Sequence, residues 1–120
     1  VTPFIEDKWY AHIVTRAYYS QLIEAGVKIY EYTPGFIHSK TFVADDEIGV
    51  VGTINLDYRS LYLHFECGVL LYKTKSVLQI KEDYLNTLEL SQQITLEDTK
   101  QVKWSNRFIR AILRVFAPLM

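Results

Sequence analysis

Apolar side chains recur early in the chain at near-helical intervals, with Trp9, Ile13, Ala17 and Leu22 set beside Tyr18 and Tyr19. This spacing predicts a helix over Lys8 to Ala25, with Asp7 as N-cap and Gly26 as its C-terminal stop. The period then changes. Val27 to Tyr32 alternates like a strand, Pro34-Gly35 turns the chain, and Ile37 to Ala44 reads as a second strand. After the polar turn Asp45-Asp46-Glu47, Ile48 to Thr53 makes a third. Phe65 to Tyr72 makes a fourth, with Phe65, Cys67, Val69 and Leu71 on one face and Glu66, Gly68, Leu70 and Tyr72 on the other. Asn55 to Ser60 lacks alternation and reads as a loop or short helical turn. Val77, Leu78, Ile80, Leu85 and Leu88 give a second helix, Lys75 to Leu90, an apolar side, and Thr95-Leu96-Glu97-Asp98 resembles a capping box opening a further short helix.

Strands and helices interleaved in this way predict an α/β fold, a mixed β-sheet flanked by helices. At 120 residues, 49% of them apolar and 14% aromatic, the chain is one domain at most, and its composition excludes disorder. No apolar run approaches the roughly 20 residues of a membrane span. Cys67 is the single cysteine, so neither an internal disulfide nor a cysteine metal cluster can form.

Charge is uneven. Lys100, Lys103, Arg107, Arg110 and Arg114 fall after Thr99 with no acid among them, so that stretch carries +5. The chain holds 13 basic and 14 acidic residues, which leaves 8 and 14, or −6, for the rest. Such a body does not attract nucleic acid over long range. We accordingly divide the chain into a body, 1–98, and a basic amphipathic helix, 99–120. Trp104, Phe108, Ile109, Ile112, Leu113, Val115 and Phe116 lie on one broad side of that helix. It suits an anionic lipid interface and equally suits packing on protein.

The chemistry concentrates in His38, Lys40, Asp45, Gly52 and Asn55. On an extended segment His38 and Lys40 point to one side, placing an imidazole beside an ammonium. A phosphodiester needs both, because its oxygens repel a nucleophile until a cation neutralises them. With an ordinary pKa near 6.5, an imidazole can attack phosphorus or protonate a leaving alkoxide. Gly52 permits a close approach of backbone or phosphate. His12 and His64 lack partners at metal-ligand spacing and read as non-catalytic. Cys67 shares its predicted face with apolar residues and reads as an inert buried thiol. Asp57, Arg59 and Ser60 fit either headgroup contact or bracing of the loop.

The pattern His-x-Lys-x4-Asp-x6-Gly-x-x-Asn resembles the phospholipase D superfamily. Ala25-Gly26-Val27-Lys28-Ile29-Tyr30-Glu31-Tyr32 before it, and Asn55-x-Asp57-x-Arg59-Ser60 after it, are similar to bacterial cardiolipin synthases. The resemblance implies a phospholipase D-like half-domain. Its reaction would be phosphatidyl transfer between two phosphatidylglycerol molecules, giving cardiolipin and glycerol through a phosphohistidine, with no metal or organic cofactor. It implies that His38 is catalytic, that Lys40 and Asn55 hold a phosphate oxygen, and that Asp45 supports the loop. Glu66 resembles the carboxylate that fixes a catalytic imidazole, on its own half or on the other. Since the family carries two copies of the motif, the partner would be an N-terminal half or a second copy of the chain, and only Val1 to Ile5 precede the first helix. The chain is therefore expected to be a C-terminal copy taken from a longer enzyme and inactive alone. The expected location is a bacterial membrane, at its cytoplasmic face. Alternatives are a hydrolytic phospholipase D, a dimeric phosphodiesterase or nuclease, and a half that serves only in folding or pairing.

Overall fold

The computed structural model describes residues 1–5 and 8–100. In chain order the elements are β1 (Thr2–Pro3), α1 (Trp9–Glu24), β2 (Ile29–Tyr32), β3 (Lys40–Ala44) and β4 (Ile48–Gly52). A single π-helical turn (Arg59–Leu63) then leads to β5 (Gly68–Tyr72), α2 (Lys75–Glu89), β6 (Ser91–Ile94) and α3 (Leu96–Lys100). The strands form two three-stranded sheets, ordered β1-β2-β6 and β3-β4-β5. β1 runs parallel to β2, and the other pairings are antiparallel. Helix α2 packs against both sheets, and the fold is the α/β arrangement of strands and flanking helices that the periodicity predicts.

Local chemistry accounts for the helix ends. Gly26, at φ 90°, takes the left-handed conformation that an L side chain resists, so its N–H donates to the Ile23 carbonyl and that of Val27 to the Leu22 carbonyl, both at 2.9 Å. Thr95 and Asp98 form the expected capping box. The Thr95 N–H and hydroxyl donate to Asp98 Oδ2 at 2.8 and 2.7 Å, and the Asp98 N–H donates back to Thr95 Oγ1 at 3.4 Å. The N-cap expected at Asp7 lies outside the described residues, as does 101–120 of the basic helix. The division expected at 98/99 falls within α3.

Three strands begin later than their alternation predicts, and the first of them, β2, starts at Ile29 rather than Val27, where it pairs with the last residue of β6, Ile94. β3 starts at Lys40 rather than Ile37, and β5 at Gly68 rather than Phe65. Both follow from pairing: the three-strand register ends on the row Lys40–Gly52–Gly68, and β4 goes no further, so 37–39 and 65–67 have no complete ladder to join. β6 was not predicted at all. Its sequence, Ser91-Gln92-Gln93-Ile94, carries no alternation, and only pairing with β2 makes it a strand.

The core is small. Among the described residues the buried large apolar side chains are Tyr19, Ile29 and Val77, the last of them completely. Beside them Glu31, 2% exposed, accepts from Arg16 Nε at 2.8 Å and Nη2 at 2.6 Å, and from the Tyr19 hydroxyl at 3.1 Å. Thr2 Oγ1 adds a hydrogen bond with that hydroxyl at 2.7 Å, joining β1, α1 and β2. A carboxylate so deeply buried is tolerated because each oxygen has a donor. Trp9 and Leu22, two of the apolar residues whose spacing predicts α1, are exposed, since Arg16 and Tyr19 are the residues turned to β2.

Candidate active site

The site forms at the end of the β3-β4-β5 sheet where Lys40, Gly52 and Gly68 lie in register. α2 covers the sheet face that holds Gly49 and Leu71, for a side chain at Gly49 would meet Val77 and Ile80. By alternation Lys40, Phe42, Val50 and Leu70 occupy the opposite face. Lys40 thus projects away from α2.

His38 precedes β3, exposed, on backbone outside the ladder. Lys40 Nζ lies 2.7 Å from His38 Nδ1 and donates to the His38 carbonyl at 2.6 Å. The two side chains converge. An ammonium can only donate, so opposite charged Lys40 the imidazole Nδ1 is the acceptor, and a neutral ring then carries its proton on Nε2. The Phe36 ring sits against the imidazole with centroids 5.8 Å apart. Partial burial pulls the Lys40 ammonium below the usual lysine value, while the carboxylates of Glu66 and Asp57 act in the other direction.

Glu66 accepts a hydrogen bond from the Thr53 hydroxyl rather than from His38. That bond is the largest reason its carboxyl lies below the usual range; Ser60, His64 and Lys40 act the same way, against desolvation. The loop after β4 holds itself by local bonds. Ser60, buried, donates its N–H to Asp57 Oδ1 at 2.7 Å, and Arg59 Nε donates to His64 Nε2 at 2.6 Å. Asp57, Arg59 and Ser60 thus take part in bonds that brace the loop. Asn55 is exposed three residues beyond Gly52, at the Lys40 end of the sheet. Gly52 has a backbone reason: a Cβ there would collide with the Cys67 carbonyl oxygen and come within 2.7 Å of the Gly68 Cα.

Asp45 stands apart. It occupies the β3–β4 hairpin turn at φ 52°, beside Asp46 at φ 59°, at the opposite end of β3 from Lys40. Five residues of strand span roughly 16 Å, which puts it beyond the reach of a phosphate at Lys40. Its neighbour Asp46 is tied to α2 by an ion pair with Lys81 at 2.5 Å. Cys67 corrects an expectation, since it is exposed rather than buried: β5 has not begun there, so the residue lies outside the sheet. Among the described residues no group of three or more His, Cys, Asp or Glu is placed to hold a metal ion. Nor is any helix there long and apolar enough to cross a membrane. Sequence reasoning overlooked Thr53 and Glu31, although Glu31 follows Ile29 at the two-residue spacing of an inward strand face, a usable signal.

An α/β module presenting an imidazole and an ammonium together at an open sheet end has the two groups that handling a phosphodiester calls for. Comparison narrows the class, for residues 1–88 match the family model described as cardiolipin synthase, PLD-like domain, and the chain belongs to that family. Over its whole length it is 41% identical to a protein named cardiolipin synthase from Halalkalibacterium halodurans, of which it covers 24%. It is 46% identical, again over its whole length, to an uncharacterized protein of Streptococcus mutans, of which it covers 26%. Over 98% of the chain it is 36% identical to a cardiolipin synthase 2 of Bacillus anthracis, of which it covers 23%. The chain thus spans about a quarter of the length of the curated relatives it matches. No solved structure matches it significantly.

Proposed function

We propose that this chain supplies the C-terminal catalytic half of a cardiolipin synthase, which joins two phosphatidylglycerol molecules into cardiolipin and releases glycerol. The observation that carries the reading is the 2.7 Å approach of Lys40 Nζ to His38 Nδ1 on the sheet face away from α2. Family membership and the names of the relatives support it.

In this reading an imidazole from the other half, either an N-terminal copy of the domain or a second copy of the chain, attacks the phosphorus of one phosphatidylglycerol. The bond to the glycerol oxygen breaks, and His38, entering the step as the imidazolium while the Lys40 ammonium keeps its bond to the His38 carbonyl, gives its Nε2 proton to the departing oxygen and is left neutral. Now basic at Nε2, His38 takes the hydroxyl proton of a second phosphatidylglycerol, whose oxygen displaces the phosphohistidine and forms cardiolipin. Lys40 and Asn55 hold the non-bridging oxygens as charge builds on them. Transfer to an alcohol rather than to water requires the acceptor lipid to be oriented and water kept out. Exposed Leu56, Tyr58, Leu61, Tyr62, Leu63 and Phe65 lie on the loop beside the site and on its approach to β5. An apolar patch of that kind fits a surface covered by the remaining three quarters of the polypeptide.

The test mixes this chain with a matching N-terminal half and phosphatidylglycerol vesicles, with each half alone as control. Cardiolipin and glycerol formed only in the mixture support the proposal. Phosphatidic acid in place of cardiolipin makes the enzyme a hydrolase, and DNA cleavage by the chain alone overturns the lipid reading.

A further inference from the structure

Glu66 lies two residues ahead of β5, so the strand ladder does not fix its long side chain. Something else must, because an unrestrained glutamate loses considerable rotamer entropy when it is held in one place. Thr53, directly after β4, continues the pairing by one residue: its N–H donates to the Cys67 carbonyl at 2.9 Å, and its Oγ1 accepts from the Cys67 N–H at 3.1 Å. A hydroxyl has a single proton, and the one on Thr53 goes to Glu66 Oε2. The preceding Gly52 makes this approach possible, since a side chain there would strike the Cys67 carbonyl. Gly52 and Thr53 therefore act in sequence, one by drawing the two strand ends together and the other by reaching the carboxylate across the gap.

We propose that Thr53 is a positioning residue for the phosphatidyl transfer described above, holding Glu66 at the Lys40 end of the site through its hydroxyl. The inference rests on that reading for its effect on turnover, but not for the bond itself. The groups facing Glu66 come from three places: Thr53 from the end of β4, Ser60 and His64 from the π-turn and the residue after it, and Lys40 from β3. Asp57 faces Lys40 as well. Of these, the Thr53 hydroxyl does most to favour the ionised carboxylate. Without it the Glu66 pKa rises, and at mildly acid pH a larger fraction is protonated and no longer supports the ammonium beside it.

The experiment uses the full natural polypeptide containing this chain, with Thr53→Val, Thr53→Ser and Glu66→Gln compared by the pH dependence of kcat/KM on phosphatidylglycerol vesicles. Thr53→Val moves the acid limb to higher pH and leaves the alkaline limb in place, Thr53→Ser restores the wild-type profile, and Thr53→Val in the Glu66→Gln background gives no further shift. A Thr53→Val profile that is lowered uniformly with unmoved limbs, or a serine variant as impaired as the valine one, overturns the proposal. Carboxyl 13C NMR titration of Glu66 in the same polypeptide reads the shift without turnover. A raised Glu66 pKa in an enzyme inactive on phosphatidylglycerol therefore rejects the lipid reading and keeps the contact, whereas an unmoved Glu66 pKa rejects the contact.

Discussion

At the residue scale the proposed chemistry rests on His38, whose ring nitrogens the structure makes inequivalent. Lys40 stands against Nδ1, so Nε2 is the nitrogen left for proton transfer in the proposed mechanism. His38→Asn in the full enzyme is expected to cut kcat on phosphatidylglycerol by about 10²-fold or more, the usual contribution of a general acid, without changing the circular dichroism spectrum. A near-normal rate would remove His38 from the reaction. The pairing of His38 with Lys40 was readable from their two-residue spacing. The partner of Glu66 was not, because a side chain's choice among Thr53, Ser60 and an imidazole depends on where β4 ends relative to β5.

At the scale of elements, two devices hold the module together. The first is the close meeting of β4 and β5. Gly52→Ala is expected to cost about 1–3 kcal/mol, because the added methyl has backbone atoms as neighbours that cannot swing aside, and a fall in urea midpoint at unchanged slope measures it. The second is the cluster that joins β1, α1 and β2 around Glu31. Burial is the main reason the Tyr19 hydroxyl is pushed up to about 12, and the Thr2 hydrogen bond opposes it. The folded state therefore holds this proton more tightly than the unfolded chain, whose tyrosines titrate near 10. The resulting stability is complete below about pH 10 and is lost as pH rises toward 12, on the order of 2 kcal/mol in all. Urea midpoints compared for wild type and Tyr19→Phe should converge over that interval; a constant difference would place the proton elsewhere. Helix existence was legible from periodicity, the stop of α1 from Gly26 and the start of α3 from Thr95. Strand β6 was hidden, since Ser91 to Ile94 acquires its extended form only from the neighbouring β2.

At the scale of the whole molecule, the sheet face bearing Lys40 and the apolar loop after β4 are surfaces rather than core. The basic stretch after Thr99 adds a further prediction. Deleting it from the full polypeptide should weaken vesicle binding, most for anionic lipid, by roughly tenfold or more given about 1 kcal/mol for each basic side chain near a charged surface. Cosedimentation with vesicles of varied phosphatidylglycerol content measures this, and unchanged binding assigns the stretch to packing on protein. The sequence by itself determined the α/β class, the helices with their stops, the hairpin at Asp45-Asp46 and the nearness of His38 to Lys40, because each depends on spacing along a few neighbouring residues. Tertiary structure alone decided that β6 is a strand, that Glu31 is buried between Arg16 and Tyr19, that Cys67 is open, that Asp45 lies at the far end of β3 from Lys40, and that Thr53 grips Glu66. Those outcomes join residues brought together by sheet pairing and helix docking, and no local pattern records which distant partners the folded chain will bring into contact.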